Sequence, residues 1–381
     1  MAIASRLRAK LDAASVRDLR RDLEHRTSAQ GPRIAIDQRT LINFCSNDYL
    51  SLANDQRLIA KLSDSFSTHG FGAGASPLLS GRSDTHLELE DRLASYCGFE
   101  AALTYSSGYL ANLGALQALI SRHDHVFHDK LNHASLIDAV RATRARATRY
   151  AHGSLPTIEH SPDNRGHWCV TDAVFSMDGD AAPLGKLNDL CTANDAYMYA
   201  DDAHGFGVLG GGRGTLHASG VVPEKHIVLM VTFGKAIGSA GAAVLGSREV
   251  IDYLIQFSRT FIYDTALPAI CALAANEALC LLGSAPEIHR RLFANIARFR
   301  ELCAAENIAV MPSETPIQPI LIGDDHQALV AASKLREDGF YVRAIRPPTV
   351  PVGTARLRIS INAGHGEEDI HGLVMSLARC L

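Results

Sequence analysis

Between about residues 85 and 280, short apolar runs alternate with stretches of helical periodicity. The segment "HLELEDRLASYCG" (residues 86–98) places Leu89, Leu93 and Tyr96 on one helical face and stops at Gly98, which predicts a helix. Strands are predicted at "AALTYSSG", "WCVTDAVFSM", "AYMYADDAHG" and "IVLMVTFGK". Because strands and helices follow one another in turn, we expect an α/β fold, with a mostly parallel sheet flanked by helices.

The pattern changes from about residue 285 onward. The helix "EIHRRLFANIARFRELCAAE" is followed by "IQPILIG", by the helix "QALVAASKLREDG" and by the strands "FYVRAI" and "ARLRISIN". The sequence therefore predicts an N-terminal helix and linking segment (residues 1–45), a large domain (residues 46–284) and a smaller α+β C-terminal domain (residues 285–381).

Composition narrows the functional classes. The chain has 381 residues, is 47% hydrophobic and 20% charged, and carries a net charge of −4. These values are typical of a soluble globular protein, and they predict neither a nucleic-acid nor a membrane partner. Eight cysteines lie scattered without metal-ligand spacing, so we expect no metal and reduced thiols in a cytoplasmic protein. Acidic residues in the N-terminal helix argue against an import signal.

Four polar segments follow predicted strands: "SSGYLAN" (106–112), "SMDGD" (176–180), "DDAHG" (201–205) and "TFGK" (232–235). Ligands of parallel sheets bind beyond the carboxyl ends of the strands, so these segments are expected to converge. At Ser106, Ser107 and Gly108 the start of a helix offers backbone N–H groups to an anion such as phosphate. An ordinary serine N-cap is the alternative, and it is favoured for this segment taken alone.

Asp201 and Asp202 end an apolar strand, and His204 follows them. A buried carboxylate is costly unless it meets a cation or strong donors, and bonding to backbone amides is the ordinary explanation. The nearby histidine favours a functional aspartate.

Lys235 stands alone among small residues and glycines in "VTFGKAIGSAGAAVLG". A lysine between glycines is usually exposed, but Thr232 and Phe233 indicate a crowded pocket. A neutral amine attacks an aldehyde, so Lys235 is a Schiff-base candidate. A lysine, an aspartate for a pyridinium nitrogen and a helix N-terminus for phosphate together predict a pyridoxal 5'-phosphate site.

Eight segments, in order, make the chain resemble the α-oxoamine synthases: "SNDYL", "SSGYLAN", "LNHASLIDA", "FSMDGD", "DDAHGFG", "TFGKAIGSAGAAVLG", "AIRPPTVP" and "GTARLRISI". The resemblance implies a fold-type-I pyridoxal-phosphate homodimer that condenses an amino acid with an acyl thioester and releases carbon dioxide. The member it most resembles uses L-alanine and a pimeloyl thioester in biotin synthesis. Whether that thioester is carried by coenzyme A or by an acyl carrier protein stays open.

The resemblance also implies roles for individual residues. Lys235 would hold the cofactor, Asp201 would pair with its ring nitrogen, His204 would bind its ring hydroxyl and His133 would stack on its ring. Further cofactor contacts are implied for Ser176, Gly108, Tyr109 and Thr232. Substrate contacts are implied for Arg358, as a carboxylate clamp, and for Asn47, Arg346 and either Arg20 or Arg21. An exposed strand arginine is the alternative for Arg358.

One segment departs from the family pattern. Where the family has a glycine-rich run, this chain reads "GAGASPLLSGRSDTH" (72–86), with Pro77, Leu78 and Leu79. The acyl preference is therefore open.

Other functions fit parts of the sequence. A fold-type-I aminotransferase needs the same lysine, aspartate and phosphate site, and synthases that use glycine or serine share the motifs. A nicotinamide dehydrogenase is weakly suggested by "GFGAGA" (70–75), which follows a helical stretch instead of a strand. A non-catalytic binding protein is the remaining alternative.

Overall fold

A computed structural model describes residues 2–16, 19–21, 23–158 and 165–381. The described residues form two compact units. Unit 1 comprises those of Met1–Ser46, Met177–Gly179 and Arg291–Leu381, and unit 2 comprises those of Asn47–Ser176 and Asp180–Arg290. The N-terminal segment thus shares a unit with the C-terminal segment. The three-part division predicted from the sequence stays a prediction.

Helices occur in both units. In chain order they are α1 (Ala2–Val16), α2 (Gln56–Ser63), α3 (Phe66–His69), α4 (Asp84–Cys97), α5 (Gly108–Leu119), α6 (Ala134–Thr143), α7 (Leu184–Ala193), α8 (Thr215–Ala218), α9 (Arg248–Phe257), α10 (Arg259–Ile262), α11 (Ala269–Ser284), α12 (Glu287–Ala305), α13 (Asp325–Glu337) and α14 (Glu367–Cys380).

The strands are, in chain order, β1 (Arg33–Ile36), β2 (Arg39–Asn43), β3 (Ala101–Tyr105), β4 (His125–Asp129), β5 (Arg146–Tyr150), β6 (His167–Asp172), β7 (Ala196–Asp201), β8 (Ile227–Thr232), β9 (Ala242–Gly246), β10 (Ile317–Gly323), β11 (Phe340–Tyr341), β12 (Arg343–Ile345) and β13 (Ala355–Ser360).

Unit 2 is built on a seven-stranded sheet of order β3-β9-β8-β7-β6-β4-β5. The neighbouring pairs β5–β4, β4–β6, β6–β7 and β7–β8 are parallel. Strand β9 is antiparallel to both of its neighbours, β3 and β8. The connection from β8 to β9 spans only residues 233–241, too short for the helical crossover that a parallel pair needs. The predicted mostly parallel α/β sheet is confirmed, and β4, β5 and β9 are additions to the predicted strands.

The strands of this sheet, apart from the edge strand β5, are buried because helices cover it. A continuous apolar core joins β3, β4 and β6–β9 to α5, α6 and α9. Helix α4 ends at Gly98, which adopts a left-handed conformation with φ 80°, as the stop signal in the sequence predicts. Strand β7 buries all but one of its residues before ending at Asp201, so its carboxylate lies at the carboxyl edge of the sheet.

Unit 1 contains two three-stranded sheets, β1-β2-β11 and β10-β13-β12. The segment "FYVRAI", predicted as one strand, is two strands, β11 and β12, in different sheets. Strand β13 is the centre of its sheet and is buried along its whole length. Arg358 therefore lies in the interior of a sheet and not on an exposed strand.

Three smaller expectations are also answered. The eight cysteines are free thiols, but only Cys169, Cys191 and Cys303 are buried. The segment "GFGAGA" follows α3 and not a strand, so it lacks the strand-to-helix turn of a dinucleotide site. In the described part of the chain no single helix is long and apolar enough to span a membrane, and only the bent pair α11 and α12 reaches that length and composition jointly.

The segment that departs from the family pattern forms a π-helical turn at Pro77–Gly81. Arg82, directly after it, makes an ion pair with the buried Glu90, which also accepts hydrogen bonds from Thr104. The turn is therefore anchored to α4 and β3, while Leu79 at its tip is 82% exposed.

Candidate active site

Asp201 ends β7, and its side chain is held by two donors. Asn112 Nδ2 donates to Asp201 Oδ2 at 2.7 Å, and the Ala203 backbone N–H donates to Oδ1 at 3.0 Å. Tyr199 fixes the orientation of Asn112 by donating to its amide oxygen at 2.9 Å. Asp201 is 4% exposed, so donors have replaced the water that would otherwise solvate its charge.

His133 lies on the same edge of the sheet, at the start of α6. Its ring Nδ1 is 2.7 Å from Ser135 Oγ, and Asn112 Nδ2 also donates to that hydroxyl at 2.9 Å. A chain of contacts thus joins His133 to Asp201 through Ser135 and Asn112. Part of His133 is exposed, but surrounding atoms exclude water from its ring. This desolvation and the nearby positive charge of Lys235 both lower the pKa of His133.

Asp172 ends β6 and pairs in register with Asp201 on β7, so the two side chains lie on the same face of the sheet. The His133 backbone N–H donates to Asp172 Oδ2 at 2.6 Å. Burial, followed by the negative charge of Asp201, raises the pKa of Asp172 well above its usual value. Two adjacent buried carboxylates repel each other when both are ionised, so the charge of Asp201 favours the protonated form of Asp172.

His204 lies in the turn after β7 and is 6% exposed. Its Nδ1 shares a hydrogen bond of 2.7 Å with Tyr49 Oη, and Tyr49 Oη donates to Asn47 Oδ1 at 3.2 Å. The structure therefore brings the predicted residues His204 and Asn47 together through Tyr49.

Lys235 lies in the turn after β8, where its carbonyl accepts from the Gly238 N–H at 2.9 Å. It interacts electrostatically with both His133 and Asp172, so the lysine and the carboxyl edge of the sheet belong to one site. Thr232, at the end of β8, lies beside the start of α5, since a Cβ on Gly108 would be 3.8 Å from Thr232 Cβ. A threonine hydroxyl and a helix N-terminus thus adjoin each other.

Two predicted cofactor residues are less directly connected to this site. The Tyr109 ring stands edge-on to the His133 ring at 6.4 Å, its hydroxyl donates to Asp138, and its backbone lies in the first turn of α5. Ser176 lies four residues beyond the end of β6. Residues 177–179 of its segment belong to unit 1, so "SMDGD" is divided between the units.

The predicted substrate arginines belong to unit 1. Arg21, Arg346 and Arg358 line a cavity of about 340 Å³, together with Cys45, Arg343 and Thr349. Arg20, Arg21 and Arg346 line a neighbouring cavity of about 460 Å³. Arg358 Nη1 donates to Ser360 Oγ at 2.9 Å, and the residue is 7% exposed. These cavities are rich in guanidinium groups, which suit carboxylates or phosphates.

The second aspartate of "DDAHG" has a structural role. Asp202 is fully buried and accepts hydrogen bonds from the Thr215 N–H at 2.7 Å and from Thr215 Oγ1 at 2.5 Å. The ordinary explanation, a buried aspartate bonded to a backbone amide, is therefore right for Asp202. Burial raises its pKa to about 7, despite the hydrogen bonds of Thr215 that favour the charged form.

This raised pKa predicts a pH dependence of stability. From about pH 4, near the pKa of an unfolded aspartate, to about pH 7, only the folded protein holds the proton, so the stabilising contribution of Asp202 falls as pH rises. Above that range the contribution is constant. In urea unfolding of the apoprotein, the free energy of unfolding of the wild type relative to Asp202→Asn should decrease over this interval. A difference that does not change with pH, as expected for the exposed control Asp189→Asn, would contradict the prediction.

The arrangement fits pyridoxal 5'-phosphate. Asp201 is a buried carboxylate with fixed donors and can face a protonated ring nitrogen, while Lys235 on the same edge supplies an amine. The N-terminus of α5 beside Thr232 offers N–H groups and a hydroxyl to a phosphate.

The sequence interpretation did not identify four residues of this network: Asn112, Ser135, Asp172 and Tyr49. Three of them lie inside motifs that it did quote, "SSGYLAN", "LNHASLIDA" and "SNDYL". Asp172 gave a weaker signal, a charged residue at the end of a predicted strand. Each of these four residues contacts a predicted residue and not the expected position of the cofactor. Cofactor chemistry alone therefore does not predict them.

Comparison with known proteins identifies the family of the chain. The family model for class I and II aminotransferases matches residues 39–377. An 8-amino-7-oxononanoate synthase of Thioalkalivibrio sulfidiphilus is 43% identical, over 96% of this chain and 98% of its own length. A serine palmitoyltransferase variant from S. paucimobilis with bound PLP aligns with a TM-score of 0.90 at 26% identity, covering 98% of this chain and 96% of that chain.

The crystal structure of 8-amino-7-oxononanoate synthase from Francisella tularensis has a TM-score of 0.77 at 30% identity, over 89% of this chain and 97% of that chain. The predicted fold type and cofactor are thereby confirmed. The protein is a pyridoxal-phosphate enzyme of the transferase class. It belongs to the class I and II aminotransferase family, in the branch of the α-oxoamine synthases that contains the 8-amino-7-oxononanoate synthases.

Proposed function

We propose that the protein condenses L-alanine with a pimeloyl thioester to give 8-amino-7-oxononanoate, carbon dioxide and a free thiol, a step of biotin synthesis. The observation that carries this proposal is the contact chain from His133 through Ser135 and Asn112 to Asp201, on the sheet edge that also holds Lys235. Similarity to 8-amino-7-oxononanoate synthases over nearly the whole chain supports the choice of substrates.

The bound cofactor supplies an electron sink for the α-carbon of the amino acid. The Lys235 amine would hold the cofactor aldehyde, and it would also be the base that removes the proton from the α-carbon of the amino acid. Nearby His133 has a lowered pKa, so at neutral pH its ring is uncharged and does not repel the lysine as a cation would.

Three further residues hold the reacting groups in place. Asp201 keeps a proton on the pyridine nitrogen, and Asn112 and Ala203 prevent the carboxylate from turning away. His133 stacks on the ring, with its orientation set by Ser135. His204, oriented by Tyr49, would hydrogen-bond the ring hydroxyl. Ser176, Gly108, Tyr109 and Thr232 complete the cofactor contacts in this proposal.

The substrates carry carboxylates, and the arginines suit them. We assign the α-carboxylate of L-alanine to Arg358, and the distal carboxylate of the pimeloyl chain to Arg20 or Arg21, with Arg346 and Asn47 as further substrate contacts. The carrier of the thioester is coenzyme A or an acyl carrier protein. The enzyme acts as a homodimer in the cytoplasm.

Product analysis tests the reaction. Purified protein loaded with pyridoxal phosphate is mixed with L-alanine and pimeloyl-CoA, and free thiol, carbon dioxide and the amino ketone are measured. All three should form in equal amounts. Formation of a keto acid without thiol or carbon dioxide would identify an aminotransferase instead, and faster turnover with glycine or serine would identify a different synthase.

Replacing Arg358 tests its substrate role. Arg358→Lys keeps the charge but loses the planar fork that binds a carboxylate through two parallel hydrogen bonds. The KM for L-alanine should rise roughly 10- to 100-fold, as expected for loss of a charge-assisted hydrogen bond. Steady-state kinetics with alanine varied measures the effect, and the exposed Arg379→Lys serves as control. An unchanged KM would remove Arg358 from the substrate site.

A further inference from the structure

His152 lies between two aspartates, one at each ring nitrogen. Its Nδ1 is 3.2 Å from both carboxylate oxygens of Asp129, and its Nε2 is 2.9 Å from Asp180 Oδ2. The Asp129 side chain is only 2% exposed and that of His152 is 21% exposed. Asp180 Oδ1 is buried and has no hydrogen-bond partner among the described residues, so His152 is the group that compensates this carboxylate.

Asp129 connects this histidine to the turn that carries His133. It ends β4, accepts the Leu131 N–H at 2.8 Å and accepts the Gly153 N–H at 3.2 Å. The next residues of the turn are fixed as well, because Asn132 Nδ2 donates to the Val170 carbonyl at 2.9 Å. The position of His133 therefore depends on a turn whose first carboxylate is bound by His152.

Asp180 connects the same histidine to the segment that carries Ser176. Its carbonyl accepts the Phe175 N–H at 2.9 Å, and Val174 forms an antiparallel bridge with Ala181, so Asp180 closes a loop containing Ser176. The His152 ring also packs edge-on against the Phe175 ring at 4.3 Å. One side chain therefore contacts both ends of this loop and the turn before α6.

The double contact requires a charged ring. A neutral imidazole has one donor and one acceptor nitrogen, so it would turn a lone pair toward one of the two carboxylates. Both nitrogens donate only in the imidazolium. Among the residues that the structure describes, the charged groups that face His152 are Asp129 and Asp180, and their hydrogen bonds raise the pKa of His152 to about 10. The charge is therefore retained in the range where ordinary histidines lose it.

We propose that His152, as an imidazolium, is a positioning residue that ties the turn of residues 129–133 to the loop of residues 175–180 and so sets the placement of His133 and Ser176. Its effect on turnover rests on the proposed function. Its effect on the geometry of the protein does not.

Histidine NMR on the apoprotein tests the geometry without substrate or cofactor. With ¹⁵N in the histidine rings, His152 should show two protonated nitrogens up to at least about pH 9, well above the pKa near 6.5 of a free histidine. In His152→Gln, which is neutral and has no ring to span both aspartates, the ring signals of His133 should shift. The control His123→Gln, which removes an exposed histidine before β4, should leave them unchanged.

Kinetics of the holoenzyme tests the consequence. His152→Gln should lower kcat about 10- to 100-fold, because a small displacement of residues around a reacting centre costs this much, while the KM values change little. Thermal unfolding of each apoprotein checks that the fold is intact. If His152→Gln does not fold, Asp180→Asn replaces it, because this variant keeps the contact between His152 and Asp129. Asp180→Asn should lower the pKa of His152, and it should shift the His133 signals in the same direction as expected for His152→Gln.

Two results would overturn the proposal. One is a His152 ring that titrates near pH 6.5 in the wild type. The other is a His152→Gln protein that folds and has the same His133 ring signals and the same kcat as the His123→Gln control. If the wild type has no synthase activity but the NMR results are as expected, the proposed function fails and the positioning role of His152 stands.

Discussion

Lys235→Ala should lower kcat by at least about 10³-fold, because the substitution removes both the amine that holds the cofactor and the base for the α-proton. The positive charge of Lys235 acts on His133 and Asp172 at the carboxyl edge of the sheet, and we expect its loss to be chemical and to leave the fold intact. Assay of thiol release measures the rate. Borohydride treatment followed by peptide mass analysis should couple a pyridoxyl group to the Lys235 peptide in the wild type alone.

Lys225→Ala is the matched control, since this lysine belongs to the loop before β8 and lines a separate surface pocket. It should retain wild-type turnover and the labelled peptide. A Lys235→Ala protein with near-wild-type kcat, or a pyridoxyl group on a different lysine, would remove the basis of the proposed mechanism.

Asp201→Asn should lower kcat about 10²- to 10³-fold, the usual cost of deleting one preorganised electrostatic contact in an active site. The amide has no charge to keep a proton on a pyridine nitrogen. Its single oxygen also cannot serve both Asn112 Nδ2 and the Ala203 N–H, and Tyr199 prevents Asn112 from turning its amide over. The pKa of Asp172 should fall, because the charge of Asp201 is one of the causes that raise it.

Steady-state kinetics measures the first effect, and ¹³C NMR of the aspartate carboxyl groups in the apoprotein measures the second. Asp189→Asn, which neutralises an exposed carboxylate on α7, should change neither quantity. If Asp201→Asn turned over at close to the wild-type rate, Asp201 would not be the partner of the ring nitrogen. An unchanged pKa of Asp172 would show that burial alone protonates it.

The segment that departs from the family pattern contains the π-helical turn at Pro77–Gly81. Gly81 is required there, because a Cβ would lie 2.2 Å from the Ala75 carbonyl oxygen. The ion pair between Arg82 and Glu90 fixes the turn at its base, so the exposed Leu78 and Leu79 are presented on a firmly held segment.

Sequence reasoning was most successful where a local pattern decides the structure. The run "AYMYAD" is a buried strand, and the polarity change at its end places Asp201 at the sheet edge. Gly98 stops α4 because a residue with φ 80° is tolerated best as glycine. Reasoning was weaker for β5, whose residues are largely exposed and lack apolar alternation, and for β9, whose direction depends on the length of the preceding connection.

The sequence by itself determined the α/β class and the strand ends that carry Asp201 and Thr232, since these follow from periodicity along the chain, and it predicted Lys235 as the reacting amine from side-chain chemistry. Only the tertiary structure decided that Asn112 and Ser135 join His133 to Asp201, that Asp202 is bonded to Thr215, that Arg358 is buried, and that His152 lies between Asp129 and Asp180. The reason is physical. A periodic pattern predicts which face of an element is buried. Hydrogen bonds and charge pairs, however, form between residues far apart in the chain, and which residues meet depends on how the elements pack.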